Sequence, residues 1–119
     1  MKKMISILKA LSDQNRLRVL AALTKYPELC ACQLNGLLKV SGATTSRHLE
    51  ILINAGLVDK RKDGRWVYYH LKYDDEDFIP VMDWLKREFS KSKDIKNNLD
   101  TLKEITSCDL KELCSNKPK

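Results

Sequence analysis

The stretch "ACQLNGLLKVSGATTSRHLEILINAG", residues 31–56, decides the fold. Its first part, "ACQLNGLLKV", has the apolar spacing of a short helix, and "SGA" predicts a tight turn. The part "TTSRHLEILINAG" places Leu49, Leu52 and Ile53 on one helical face, and Gly56 is well suited to end that helix. Two short helices joined by a tight turn, the second starting with small polar residues, are typical of a helix-turn-helix that enters the major groove of DNA.

Two β-prone runs follow this unit. They are "LVDKRK" and "WVYYHL", and "DGR" separates them. An Asp-Gly step between two such runs is the strongest short-range signal for a β-hairpin. A basic hairpin directly after a helix-turn-helix predicts a winged helix.

The segments on either side are predicted to be helical. Apolar residues at helical spacing indicate a first helix: Met4, Ile7, Leu8 and Leu11. Ser12 and Asp13 are suitable caps for a second helix, "QNRLRVLAALTKY", which Pro27 ends. Beyond the hairpin, one long amphipathic segment is marked by Phe78, Met82, Leu85, Phe89, Ile95, Leu99 and Leu102.

The predicted fold class is therefore mainly α with one β-hairpin, a winged helix-turn-helix that dimerises through its first and last long helices. We expect residues 1–105 to form the DNA-binding and dimerisation domain. Residues 106–119 are expected to form a C-terminal tail that carries Cys108 and Cys114. A length of 119 residues is enough for one compact domain and too short for two ordinary ones.

Charge and composition favour a nucleic-acid partner. The net charge is +6, and the range 39–72 holds seven Lys or Arg against three Asp or Glu, whereas "YDDEDFIPVMD" holds five acids and no base. No apolar run is long enough to span a membrane, and the N-terminus lacks a signal-peptide cleavage site, so we expect a cytoplasmic protein. No carboxylate pair, nucleophile triad or Gly-rich phosphate loop is present, so an enzyme is not expected.

The predicted DNA contacts lie at the start of the second helix and on the hairpin. Short hydroxyl side chains there suit phosphate contacts near a helix N-terminus: Thr44, Thr45 and Ser46. Arg47 and His48 follow, where base edges would lie. The wing adds Lys60, Arg61, Lys62 and Arg65. The competing interpretation is a solvated helix and an exposed turn; for His70, which alternates with Tyr68 and Trp66, structural packing is the better interpretation.

Two cysteines, Cys30 and Cys32, lie one residue apart in "PELCACQL". Thiolates select soft, thiophilic metal ions. Residues two apart on a regular helix point to nearly opposite sides, so these two sulfurs converge on one ion only if the backbone between them is non-helical. Reduced thiols are expected in the cytoplasm, so free, metal-binding or redox-active cysteines are favoured over structural disulfides. Two buried apolar side chains or a redox pair remain the alternatives.

Residues 4–90 closely resemble the ArsR/SmtB family of metal-responsive repressors. The resemblance is carried by "LKALSDQNRLRVLAAL", "ELCACQL" and "SRHLEILINAGLVDKRKDGRWVYYHL", in that order. It implies a homodimeric repressor of a resistance operon that leaves its operator when As(III) or Sb(III) binds the thiols, with no organic cofactor. Close arsenic sensors often carry a third cysteine where this chain has Asn35. The third sulfur would then come from Cys108 or Cys114 of either subunit, or from a small thiol such as glutathione.

Other sensing modes of the same fold stay open. A thiol redox or persulfide sensor would close a bridge between cysteines, and a Cd, Pb or Zn sensor would use the same repressor fold. The zinc-sensing type is disfavoured because "KSKDIKNNLDTLKEITS" contains no histidine. A thiol oxidoreductase would need Cys-x-x-Cys in an alternating α/β chain, and neither feature is present. Cys108 and Cys114 are either additional metal ligands or incidental tail thiols.

Overall fold

The computed structural model describes residues 1–72, 76 and 78–107, and in this part of the chain it contains six helices and one three-stranded sheet. The elements in order are α1 Lys2–Leu11, α2 Gln14–Lys25, β1 Leu29–Cys30, α3 Ala31–Leu38, α4 Gly42–Asn54, β2 Val58–Asp63, β3 Trp66–Leu71, α5 Ile79–Lys91 and α6 Lys93–Thr106. This is the predicted winged helix-turn-helix, formed by α3, α4 and the β2–β3 hairpin.

The turn between α3 and α4 is set by two residues. α3 ends at Leu38, two residues before the predicted end. Lys39 follows in the left-handed region at φ 56°, and its N–H donates to the Asn35 carbonyl at 3.0 Å. Ser41 starts α4, because its Oγ accepts the Thr44 N–H at 3.1 Å. The helix therefore begins at Gly42, two residues earlier than the sequence pattern predicts.

The end of α4 confirms the predicted role of Gly56. This residue has φ 80°, its N–H donates to the Ile53 carbonyl at 3.0 Å, and the Leu57 N–H donates to the Leu52 carbonyl at 3.1 Å. Those two bonds form a Schellman motif, which satisfies carbonyls at a helix end and requires a residue tolerant of positive φ. The chain then turns directly into β2.

The sheet contains the predicted hairpin and one strand that was not predicted. Asp63 pairs with Trp66, and the turn between them has a positive φ at Gly64 only, which is the pattern of a type II′ turn. β1 pairs antiparallel with β3, so the strand order is β1-β3-β2. Two residues are too few for a visible alternation of apolar side chains, so the sequence pattern gave no signal for β1.

The predicted long C-terminal segment is two helices. Ser92 is extended (φ −88°, ψ 123°), and its Oγ accepts the Ile95 N–H at 3.2 Å, so it ends α5 and caps α6. α6 packs across α3, where the side chain of Ile105 lies 3.4 Å from the position that a Cβ on Gly36 would occupy. The predicted domain boundary at residues 105/106 falls in the last turn of α6 and stays a prediction.

The core is formed mainly by leucines from every layer. Its fully buried large side chains include Leu20, Leu29, Leu34, Leu49, Leu52, Leu57 and Leu102. Within the described residues, no helix has the length and apolar character needed to cross a bilayer.

Candidate nucleic-acid interface and thiol site

The N-terminal turns of α4 present an exposed polar surface. Thr44, Ser46 and Arg47 are all exposed there. Thr44 also accepts a hydrogen bond from the Ser41 hydroxyl at 2.8 Å, which holds its side chain beside the helix N-terminus. A helix N-terminus offers backbone N–H groups and a favourable dipole to phosphate, so this surface has the chemistry of a DNA contact.

Thr45 lies inside the helix-turn-helix, although the sequence pattern assigned it to the DNA-facing surface. Its side chain is 2% exposed, and its Oγ1 donates to Asn35 Oδ1 at 2.7 Å and lies 3.2 Å from the Ser41 carbonyl oxygen. The physical reason is helical periodicity: position 45 is four residues before the buried Leu49 and so shares its face. Thr45 therefore ties α4 to α3, and we omit it from the proposed DNA contacts.

His48 also faces inward, contrary to the expected base contact. Its Nδ1 lies 3.2 Å from Arg16 Nη1, and its side chain is only 12% exposed. A guanidinium only donates hydrogen bonds, so Nδ1 is the acceptor in this contact. His48 thus anchors α4 to the junction of α1 and α2 rather than pointing into a groove.

Arg16 links α1, α2 and α4, and the sequence analysis did not single it out. Besides His48, it donates to the Ala10 carbonyl at 2.9 Å and the Lys9 carbonyl at 3.0 Å, at the end of α1. Nearby, Asp13 caps α2; burial tends to raise the pKa of this carboxyl, but the Arg16 N–H and charge and the Asn15 N–H hold it below its usual value. No local sequence motif marks these partners of Arg16. Only the folded chain shows that Arg16 connects α1 to α4.

The hairpin supplies basic side chains next to α4. Lys60, Lys62 and Arg65 are exposed, and the Arg65 guanidinium lies 5.8 Å from the Trp66 ring centroid. Arg61 differs, because its guanidinium forms a two-pronged pair with the Glu28 carboxylate. Lys60, Lys62 and Arg65 are therefore free to contact DNA as predicted, and that contact stays a prediction. Arg61 instead binds Glu28 within the protein.

Cys30 occupies the junction between β1 and α3. Its backbone is extended (φ −83°, ψ 161°), it is the N-cap of α3, and its N–H donates to Gln33 Oε1 at 3.0 Å in a reciprocal capping box. The side chain is a free thiol and is 1% exposed. The backbone before Ala31 is therefore non-helical, as convergence of the two thiols requires, but the Cys30 sulfur is covered.

Cys32 lies in the first turn of α3 and is half-buried. Its sulfur is disulfide-bonded in the structure. Cys108 and Cys114 lie outside the described residues. Within residues 1–72, 76 and 78–107, no three His, Cys, Asp or Glu side chains converge as a metal site.

Comparisons with known proteins agree with the winged helix-turn-helix fold. A family model described as "Bacterial regulatory protein, arsR family" matches residues 13–60. The cadmium resistance transcriptional regulatory protein CadC of Listeria innocua serovar 6a is 48% identical over 64 residues, which is 54% of this chain and 54% of that protein. The arsenical resistance operon repressor of Escherichia coli strain K12 is 42% identical over 67 residues, 56% of this chain and 57% of that protein.

A solved structure extends the similarity over more of the chain. HlyU from Vibrio cholerae N16961 has a TM-score of 0.64 at 30% identity, and the match covers 75% of this chain and 94% of HlyU. The chain spans about half the length of the curated relatives it matches.

The same substitution at the two neighbouring threonines of α4 should affect different properties, stability at Thr45 and DNA binding at Thr44. Thr45→Val removes the hydroxyl bound to Asn35, so we expect the free energy of unfolding to fall by about 1–3 kcal/mol in urea denaturation. Thr44→Val, at an exposed position, should change it by less than about 0.5 kcal/mol and instead weaken DNA binding. Equal losses of stability in the two variants would contradict the assignment of Thr45 to the interior.

Proposed function

Because the chain belongs to the ArsR family of bacterial regulatory proteins, we propose that it is a repressor that binds operator DNA as a homodimer and is released when As(III) or Sb(III) binds its cysteine thiolates. Family members are transcriptional regulators and not enzymes. Among the residues of this chain, Thr44, Ser46 and Arg47 would contact DNA from α4, and Lys62 and Arg65 from the wing.

One observation carries the proposal: Cys30 is the N-cap of α3, the first helix of the helix-turn-helix. A change at the N-cap acts directly on the helix it starts. α3 in turn is joined to α4 by the buried Thr45–Asn35 hydrogen bond. A ligand at the Cys30 sulfur therefore acts on α3, α3 contacts α4 through the Thr45–Asn35 bond, and α4 carries the exposed Arg47.

Access to the thiol defines the switch. Cys30 is 1% exposed, so an ion reaches its sulfur only when the first turn of α3 opens. The capping box between Cys30 and Gln33 closes the start of α3, and ion binding would break it. Linkage then requires DNA and ion to weaken each other equally, typically by about 5–150-fold.

A third sulfur completes the pyramidal site that As(III) prefers, and we propose that Cys108 supplies it. The supporting contact is Ile105 on Gly36, which lies four residues after Cys32 in α3. Cys108 follows Ile105 by three residues, a reach of at most about 10 Å. Cys108 itself lies outside the described residues, and Cys114 or a small thiol are the other sources.

Sulfur chemistry supports a thiophilic inducing ion. Thiolates select soft ions, and the curated relatives named above are arsenical and cadmium resistance regulators. As(III) and Sb(III) fit a three-sulfur site, while Cd(II) and Pb(II) define the alternative inducers of the same fold.

Dimerisation is proposed through α1 and α5. Within the described residues, the exposed large apolar side chains lie on these two helices or at the α1 N-cap: Met1, Met4, Ile5, Leu8, Ile79 and Trp84. Leu8 is 60% exposed and Trp84 is 51% exposed. Apolar side chains gathered on two helices mark an interaction surface.

A second candidate function rests on the disulfide of Cys32. Because Cys30 is a free thiol while Cys32 is bridged, the start of α3 would respond to the oxidation state of the second cysteine. The repressor would then sense oxidants or persulfides. Release of the reduced protein from DNA by a persulfide donor, with no release by arsenite, would favour this function over metalloid sensing.

Arg47→Ala should lower affinity for the operator by about 1–3 kcal/mol, because a bidentate base contact is lost, and should change binding to unrelated DNA much less. Fluorescence anisotropy with both DNAs measures the difference. Arg87→Ala on α5 removes the same charge from an exposed position away from α4 and serves as the control. Unchanged operator affinity in Arg47→Ala would remove this residue from the DNA contacts.

Cys30→Ser should bind the operator within about threefold of the parent, because serine is a good N-cap, and should lose its response to arsenite. The measurement is operator binding by the reduced protein with and without arsenite. Ala31→Ser alters the residue between the two cysteines without removing a sulfur and should keep the response. A Cys30→Ser protein that no longer binds DNA would instead identify Cys30 as a structural residue.

Leu8→Asp should convert the dimer to a monomer at micromolar concentration, since it places a charge in the proposed apolar interface. Sedimentation velocity measures the change. Asn97→Asp adds the same charge on exposed α6 and should leave the mass unchanged. A parent protein that sediments as a monomer would contradict the homodimer.

A further inference from the structure

The sheet aligns the thiol strand with the wing. Cys30 in β1 lies opposite Tyr68 in β3, and Tyr68 lies opposite Arg61 in β2. Directly opposite residues in a sheet share a face. Across this row, the Arg61 guanidinium lies 4.8 Å from the centroid of the Tyr68 ring.

The Glu28 carboxylate, just before β1, binds the Arg61 guanidinium at the other side of the sheet. Arg61 Nε donates to Glu28 Oε2 at 2.8 Å, and Arg61 Nη2 donates to Glu28 Oε1. Glu28 is two residues before Cys30 in the chain. We call this pair the Glu28–Arg61 clamp. It joins two segments that are 33 residues apart and has the planar, two-pronged geometry that fixes orientation.

The charges of the clamp are mutually satisfied. The hydrogen bonds from Arg61 hold the pKa of the Glu28 carboxyl below its usual value, and Glu28 raises that of Arg61. Asp63 adds a second carboxylate 3.9 Å from Arg61 Nη1. Two carboxylates and an aromatic ring thus contact one side of a half-exposed guanidinium that the sequence analysis assigned to the DNA-facing wing.

We propose that Glu28 and Arg61 are positioning residues that hold the wing to the strand carrying Cys30, so that a ligand at the thiol moves the wing, and that Arg61 does not contact phosphate. This inference rests on the proposed repressor function. An exposed ion pair contributes little to stability, so the value of the clamp lies in geometry. When the backbone at Cys30 leaves its extended conformation, Glu28 shifts, and the hairpin shifts with it.

Trp66 reports on the clamp without DNA or metal. It opens β3 two residues from Tyr68, and replacing the other tryptophan by Trp84→Phe isolates its fluorescence. Glu28→Gln and Arg61→Met should each raise acrylamide quenching of Trp66 by the same factor. The double variant should go no further, since both break one contact. Lys62→Met on the same strand is the control and should leave quenching unchanged.

Salt dependence then tests whether Arg61 contacts phosphate. The slope of log K for operator binding against log salt should be unchanged in Arg61→Met, whereas Lys62→Met should reduce its magnitude by about 0.9. Arsenite should bind Glu28→Gln as it binds the parent, measured by sulfur–arsenic ultraviolet absorption, yet release less DNA.

Three results would overturn the proposal: Trp66 quenching in Glu28→Gln equal to the parent, a salt slope reduced by about 0.9 in Arg61→Met, or full arsenite release in Glu28→Gln. Failure of the proposed function is a separate result. In that case arsenite would not release the parent protein from operator DNA. The acrylamide quenching of Trp66 in the clamp variants would still decide whether the clamp holds the hairpin.

Discussion

The backbone of Cys30 belongs to two structures at once, and the rest of the site depends on that constraint. It pairs with Tyr68 as the last residue of β1, and it caps α3 as the residue before the first helical turn. An N-cap needs extended backbone, and a strand supplies it, so each role supports the other. The sheet and the helix-turn-helix therefore cannot move independently at this position.

This double role changes what an ion must do. Residues two apart on a regular helix point away from each other, but here the chain before Ala31 is already extended, so only the first turn of α3, which carries Cys32, has to open for the thiols to converge. The obstacle is burial, because the Cys30 sulfur is covered by the protein. The free energy of ion binding is thus spent on uncovering a thiol and breaking a capping box, both of which act on the start of α3.

The sequence predicted the features that depend on local patterns. Apolar spacing and turn residues located the helix-turn-helix and the hairpin, because those signals lie within a few residues of each other. It did not predict the partners that folding brings together. Thr45 meets Asn35 ten residues away, and Arg61 meets Glu28 thirty-three residues away. The same limit explains His48. The sequence shows that it lies in α4, but it does not show that the Arg16 guanidinium, 32 residues away, contacts its ring.

These internal contacts reassign the basic charge of the chain. Arg16 donates to the carbonyls that end α1, and Arg61 pairs with Glu28 although its side chain is half-exposed, so both guanidiniums are engaged within the protein. The 22 Lys and Arg residues of the chain therefore include cations that bind within the protein. Electrostatic attraction draws the protein to any duplex, whereas sequence recognition depends on the few side chains that reach base edges. Arg16 contacts His48 of α4, and Arg61 joins the wing to Glu28. These two basic side chains therefore help to position the surface that would read the operator.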